Sequence, residues 1–550
     1  FARGRRRWNS CGRLSQARRA GGAATIPRMT APAPTLPRKK LPIGIQTFRE
    51  IRESDYYYVD KTPLALQLLD AGKYYFLSRP RRFGKSLLID TLAELFAGSR
   101  ALFQGLHAEQ HWDWSQTHPV IRISFGKGVL ASREALDIRI RLLLIDNYQR
   151  LHLPVPEGQD IPGLLSQLIQ QAHRQSGQRV VVLVDEYDKP ILDNITAPDA
   201  ARQMRDGLRN LYSVIKDEDA HIRFAMLTGV SKFSKVSLFS GLNNLRDITV
   251  APEYSAICGY TDADVDTVFA PELPGLDRDD IRLWYNGYNW TGQSVYNPFD
   301  LLLLFQERRF HPYWFETGTP TFLIDVLTER GTFVPQLQGM LAQESLLSTF
   351  DVDLIATEAL LFQTGYLTVD SVWRIPGRAE YTLKYPNLEV QSSLNECLLQ
   401  RLSGNPSIPG PQVSQLYRLL QALDFAALEQ LFTAFFASIP HDWYRNNPIA
   451  QFEGYYASVF YAYFASLGLD IRLEDATNKG RIDMAVLFNG QVFLFEFKVV
   501  EMVPEGRALQ QLIDKGYADK YRARGEPIHL VGVEFSKAQR SVAGFEVQHV

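Results

Sequence analysis

The run Ser78-Arg79-Pro80-Arg81-Arg82-Phe83-Gly84-Lys85-Ser86 crowds three cations ahead of a glycine, a lysine and a hydroxyl. Residue types in that order suit a phosphate. A glycine-bearing turn at a helix start points backbone N–H groups and the positive end of the helix dipole at an anion. Lys85 would reach the β- and γ-phosphates of a nucleoside triphosphate, and the Ser86 hydroxyl would ligate Mg²⁺. Arg81 and Arg82 either neutralise phosphate charge or are solvated. The P-loop pattern asks for glycine five residues before Gly84, and Arg79 stands there.

A second group follows an apolar run. Val181-Val182-Leu183-Val184 leads into Asp185-Glu186. Carboxylates at the C-terminal end of a buried parallel strand lie where open α/β sheets bind ligands. Asp185 is suited to hold Mg²⁺ through water and Glu186 to activate an attacking water; the alternative is a solvated strand end. Ser231, in Thr228-Gly229-Val230-Ser231-Lys232, either senses the γ-phosphate or belongs to an ordinary polar turn.

The third group is Asp483, Glu496 and Lys498. Asn489-Gly490 is a strong two-residue hairpin signal, and counting outward from it sets Asp483 directly opposite Glu496. Such partners have Cβ atoms about 4.5–5.5 Å apart on one face, and Lys498 shares that face. Ile482, Met484, Val486, Phe493, Phe495 and Phe497 fill the other. Apposed carboxylates repel unless a cation or proton intervenes. Mg²⁺ takes a few carboxylates plus water, while Lys498 would stabilise charge; a salt-bridged hairpin is the competing reading.

The elements that must position these groups can be read from periodicity. Tyr74–Leu77 and Val180–Val184 read as buried strands, and residues 224–227 as another. Leu88, Thr91, Leu92 and Leu95 mark a helix over 87–96. Alternating strands and helices over 41–252 predict an α/β sheet. Residues 258–314 are aromatic and turn-rich; Trp284–Tyr288 either pack a subdomain or stack on bases. Residues 320–440 read as mainly helical, with a β-like interruption at Tyr366-Leu367-Thr368-Val369. A helix, a hairpin and a second α/β pattern follow.

A chain of 550 residues exceeds one core. Its net charge of −2 excludes a global electrostatic pull toward nucleic acid, so any such binding needs a local patch. Three scattered cysteines make neither a disulfide framework nor a zinc knuckle and fit a reducing cytoplasm. No apolar run is long enough to span a bilayer, and the histidines show no ligand spacing. Residues 1–28 hold eight arginines and no acid. They read as a transit peptide or as upstream translation before a start at Met29, with the second preferred.

Residues 41–244 resemble the AAA-ATPase-like family of bacterial and archaeal proteins. The matching stretches are Tyr58-Val59-Asp60-Lys61-Thr62, Arg79 through Ser86, Asp185-Glu186-Tyr187-Asp188, and Thr228 through Lys232 on to Phe239-Ser240-Gly241-Leu242-Asn243-Asn244. The resemblance makes Arg-Pro-Arg-Arg-Phe-Gly-Lys-Ser a phosphate loop in its own right. It implies ATP binding through Arg79, Arg81, Arg82, Phe83, Gly84, Lys85, Ser86, Asp185 and Ser231. Residues 448–535 resemble the PD-(D/E)XK nuclease superfamily through Asp483 and Glu496-Phe497-Lys498. Glu453 matches an acidic residue preceding that core, a possible further metal ligand, and Gln511 and Tyr517 match its following helix.

The resulting expectation has five parts. They are a disordered basic and Pro-rich leader (1–40), an AAA-ATPase-like P-loop domain (41–255), an aromatic subdomain (256–320), a mainly helical connector (321–445) and a restriction-endonuclease-like α/β domain (446–550). ATP state would control a Mg²⁺-dependent nuclease acting on DNA or RNA. The rival is a nucleotide-gated regulatory protein whose C-terminal domain only binds. Whether the chain forms oligomers stays open, as does completion of the ATP site by a neighbouring subunit's arginine.

Overall fold

The computed structural model describes residues 37–232, 244–317 and most of 323–550, leaving out 1–36, 233–243, 318–322, 325, 328–329, 331–333, 344–355, 377, 404–408, 439–452 and 478. Most of the expected leader therefore lies outside the described residues. Its last three positions belong to the first domain instead: Lys39 pairs with Asp55 at 2.8 Å and Lys40 bridges to Tyr56.

Five parallel strands form the first sheet: β1 (Tyr74–Ser78), β2 (Val120–Ser124), β3 (Val180–Asp185), β4 (Ile222–Gly229) and the short β5 (Arg246–Asp247). Their order is β2-β3-β4-β1-β5. Every residue of β1 and β3 is buried, which is why both read as continuous apolar runs rather than alternating ones. Connections from β1 run out past β4 toward β2, whereas β4 connects across β1 to β5. The two chain directions part between β1 and β4, and the crevice at their C-terminal ends is where such sheets bind ligands. The helix after β1 spans Lys85–Phe96.

The aromatic segment builds its own core from Phe269, Ile281, Tyr285, Tyr296 and Phe305, joined by Tyr57 from the N-terminal segment. The connector holds helices Thr357–Thr364, Leu388–Ser403, Pro409–Ala422 and Phe425–Ser438. Its β interruption is larger than its sequence suggests. Strands β6 (Met340–Gln343), β7 (Thr368–Ile375) and β8 (Arg378–Lys384) form an antiparallel sheet ordered β6-β8-β7.

The C-terminal sheet is ordered β13-β12-β11-β10-β9, from β9 (Asp470–Ala476), β10 (Arg481–Phe488), β11 (Gln491–Val500), β12 (Ile528–Ser536) and β13 (Ser541–His549). Only β11 and β12 run parallel, and the Arg507–Asp514 helix lies in the crossover between them. The Glu453–Ser466 helix covers one sheet face, packing Phe460 and Phe464 on Phe495. The Arg507–Asp514 helix covers the other through Leu512. Gly532 permits that approach, since a Cβ there would meet Leu509 N at 2.3 Å. The core around the first sheet runs on without a break into Leu394 and Leu398 of the connector and Tyr461 and Ala465 of the C-terminal helix. Among the described residues, no helix is long and apolar enough to cross a membrane.

Candidate functional site

The phosphate loop leaves the end of β1 and turns into its helix through two left-handed residues, Arg82 (φ 69°) and Gly84 (φ 90°). At Gly84 any side chain would be strained. Lys85 is buried, and its Nζ donates to the carbonyls of Arg79 and Pro80 at 2.9 Å each. Burial lowers its pKa, while Asp185, Asp188 and Glu186 favour its charge. The ammonium thus sits beneath the loop, held by two of its carbonyls.

Two side chains expected at the nucleotide lie elsewhere. Arg79 is fully buried, and its guanidinium donates to the carbonyls of Ser78 and Thr249 (2.8 Å each) and Tyr254 (3.2 Å) while stacking 4.0 Å from the Trp290 ring. It fastens the loop from behind, which is how this loop dispenses with the usual glycine. Phe83 packs edge-on against Tyr288 and Trp290, so only its backbone is left for a ligand. Arg81 and Arg82 are exposed, Arg82 over the Phe299 ring, and the Trp314 indole donates to Arg81 O at 3.0 Å.

Asp185 ends β3 and accepts the Thr228 hydroxyl at 2.7 Å. Glu186 follows in a left-handed conformation (φ 51°). Burial, then the charge of Asp185, raises its pKa. Of the two readings of Ser231, the geometry matches the polar turn: it is fully buried, and its hydroxyl and N–H both donate to Asp188 at 2.6 Å. Asp188 is the residue that sequence reasoning passed over, although it closes the quoted Asp-Glu-Tyr-Asp run. It also accepts Val230 N–H, and burial raises its pKa.

These groups border a cavity of about 530 Å³ lined by Arg81 through Ser86, Glu186 and Asp188. Its lining also includes Ile45, Tyr58, Ile257, Tyr260 and Leu302. That mixture suits a nucleotide, with phosphates at the loop and a base among apolar side chains. Ser86 lines this cavity, whereas Asp185, at the end of β3, is not among its lining residues. The stretch 239–243 lies outside the described residues.

In the C-terminal domain the hairpin turns at Asn489 (φ 49°) and Gly490 (φ 70°), the two positive angles a type I′ turn requires. Its register runs from Phe488↔Gln491 to Met484↔Phe495 and stops one pair short of the count made from sequence. The Asp483 carboxylate takes the Phe497 N–H at 2.8 Å where a strand carbonyl would be. Beyond that point β10 departs from β11, so Ile482 joins Ala485, Leu494 and Tyr517 in the core on the opposite face from Met484.

Asp483, Glu496 and Lys498 nonetheless gather in one place. Glu496 is 1% exposed; its Oε1 accepts Lys498 Nζ at 3.2 Å and the Gln511 amide, while its Oε2 is buried without a partner. Burial, then the charge of Asp483, pushes its pKa up to about 7. Tyr517 stands beside Gln511 and feels all three charged groups. A buried, unpartnered carboxylate oxygen next to a second carboxylate fits a hard cation such as Mg²⁺. Glu453 begins its helix; its side chain lies outside the described residues. Among the described residues, no group of three or more His, Cys, Asp or Glu could hold a metal.

Comparison with known proteins places these sites in context. A family described as "Predicted AAA-ATPase" matches residues 42–239, and the PD-(D/E)XK nuclease superfamily matches residues 451–544. A protein of Azotobacter chroococcum mcd 1, described as an uncharacterized protein in vnfD 5'region, is 68% identical over 512 residues, covering 93% of this chain and 99% of its own. The crystal structure of Cdc6p from Pyrobaculum aerophilum aligns with 66% of this chain and 97% of its own, at 14% identity and a TM-score of 0.20, a likeness that carries no argument. With 68% identity to that relative across nearly its whole length, the chain belongs to the AAA-ATPase-like family that ends in a PD-(D/E)XK nuclease superfamily domain.

Proposed function

We propose that the chain is an ATP-binding and ATP-hydrolysing protein whose nucleotide state controls Mg²⁺-dependent cleavage of DNA or RNA at Asp483, Glu496 and Lys498. The observation that carries this reading is Glu496, a buried carboxylate with one unpartnered oxygen beside Asp483. A folded protein tolerates that arrangement poorly unless a cation completes it.

At the nucleotide, Lys85 exchanges its two loop carbonyls for phosphate oxygens. Ser86 and Asp185 would hold Mg²⁺, and Glu186 accepts a proton from water, a role its raised pKa suits. Asp188 fixes the loop after β4 rather than touching phosphate. At the C-terminal site, Asp483 and Glu496 would hold Mg²⁺, which when bound lowers the pKa of water and polarises the phosphoryl group. Gln511 orients Glu496, and Lys498 neutralises charge on a phosphoryl oxygen.

The rival reading, a C-terminal domain that binds without cutting, draws on one observation: Glu496 Oε1 is already engaged by Lys498 and Gln511. Purified protein incubated with single- and double-stranded DNA and RNA, with Mg²⁺ and with or without ATP, separates the two. Cleavage abolished in Asp483→Ala and Glu496→Ala, with ATP hydrolysis intact, supports the nuclease. Binding without cleavage of any substrate supports the rival, and cleavage surviving both changes removes the site.

A further inference from the structure

Behind the phosphate loop, two acids that neither site uses face each other inside the protein. Asp300 lies in the first turn of the Pro298–Glu307 helix of the aromatic subdomain. Glu389 lies in the first turn of the connector helix Leu388–Ser403. Both are fully buried. Glu389 Oε1 accepts the backbone N–H groups of Trp314 (2.9 Å) and Phe315 (3.2 Å). With both acids ionised, neither Asp300 oxygen nor Glu389 Oε2 has a well-formed donor, although the Trp314 N–H that Glu389 takes also lies near enough to Asp300 to favour its charge, and the Tyr288 hydroxyl is also unpartnered.

The titratable and charged groups facing the pair are Tyr285 and Tyr288 from the aromatic subdomain, Glu316 from the turn after Trp314, and Tyr366 from the segment before β7. Among the described residues none of these is a cation. Two bare carboxylates in contact and out of water are untenable, and one proton resolves both the repulsion and the missing donor.

We propose that Asp300 and Glu389 share one proton and form a latch between the aromatic subdomain and the connector, which loosens when the proton is lost. Asp300 carries the proton and donates to Glu389, because the two backbone N–H groups already stabilise charge on Glu389. The direction of both shifts agrees: burial and the neighbouring acid raise Asp300, and burial raises Glu389 to about 7. The latch reaches the nucleotide through Trp314, whose backbone N–H holds Glu389 and whose indole holds the Arg81 carbonyl of the phosphate loop. Loss of the proton therefore frees the wall against which that loop rests.

The test uses the full chain and reads structure, not activity. Asp300→Asn replaces the acid with a neutral donor of the same shape. Wild type is expected to show an infrared carbonyl band of a protonated carboxylic acid at neutral pH that is absent from Asp300→Asn. The wild-type melting midpoint should fall progressively below that of the variant as pH rises from about 5 to about 8, since the folded acids hold a proton that the unfolded chain releases. Glu389→Gln offers Asp300 an amide N–H and should remove the same band, which keeps the question decidable if Asp300→Asn does not fold. A wild-type spectrum without a band sensitive to either change, or melting curves that stay parallel across pH, overturns the latch.

Discussion

Glu496→Gln should stabilise the metal-free protein while destroying its metal site. Holding the carboxyl at about 7 rather than its ordinary 4.5 costs about 3 kcal/mol of folding stability at pH 7 and above. Its pKa is raised in the folded state, so the stability it contributes is fully present below about pH 4.5 and lost as pH climbs through about 7. The isosteric amide never ionises. Its oxygen keeps the Gln511 and Lys498 contacts, and its nitrogen takes the place of the unpartnered Oε2, beside Asp483. The cost is the ionic part of the Lys498 contact, whose lysine is 27% exposed and worth no more than about 1 kcal/mol. The net expectation is a gain of roughly 2 kcal/mol at pH 8 and little difference at pH 5. Urea unfolding followed by circular dichroism in chelator, at several pH values, reads this difference. Adding Mg²⁺ should then reverse the order, because wild type gains about 2.7 kcal/mol at a hundredfold excess over Kd and the variant gains nothing. A variant that is less stable than wild type at pH 8 without metal, or equally stabilised by Mg²⁺, refutes the reasoning.

Lys85→Ala should weaken ATP binding about 10- to 100-fold, the loss of one or two charge-assisted bonds, whereas Glu186→Gln keeps affinity and loses most hydrolysis; fluorescent-nucleotide titration and phosphate release check the two halves. Arg79→Ala should act on stability rather than directly on nucleotide contacts. It strands three carbonyls that the guanidinium now satisfies, a destabilisation of about 3 kcal/mol or more that Arg79→Lys does not repair, measured by denaturant midpoint.

What the sequence made legible was local. The phosphate loop between β1 and its helix, the acid pair ending β3 and the Asn489-Gly490 turn each follow from a few neighbouring residues whose backbone needs are strict. What it hid was decided by distant partners. Arg79 looks like one more loop cation, and only the carbonyls of Thr249 and Tyr254 and the Trp290 ring, far along the chain, turn it inward. Ser231 reads from sequence as either a phosphate sensor or a polar turn, and only its meeting with Asp188 shows where its hydroxyl goes. The hairpin count was right for five pairs and failed at Asp483, because a side chain there took over a backbone hydrogen bond. Periodicity has no way to register that substitution. The Asp300 and Glu389 pair was invisible for the same reason: neither acid has a motif, and their meaning comes from meeting inside the protein.

The way the domains join bears on how one site would control the other. A flexible tether would let the C-terminal domain work independently of the nucleotide. Here the Leu388–Ser403 helix contributes Leu394 and Leu398 to the core that contains β1 and β3, and the same core takes in Tyr461 and Ala465 of the helix covering the C-terminal sheet. That second helix stacks Phe460 on Phe432 of the connector and sets Phe464 against Phe495 on β11, the strand that carries Glu496 and Lys498. At its other end the connector helix holds Trp314 through Glu389, and Trp314 holds the phosphate loop. Packed side chains therefore run without interruption from Arg81 to β11. Such interiors shift between discrete arrangements rather than deform smoothly, so a loop drawn onto phosphate has a solid body to push against, which is the physical means by which nucleotide state would set the geometry of Asp483 and Glu496.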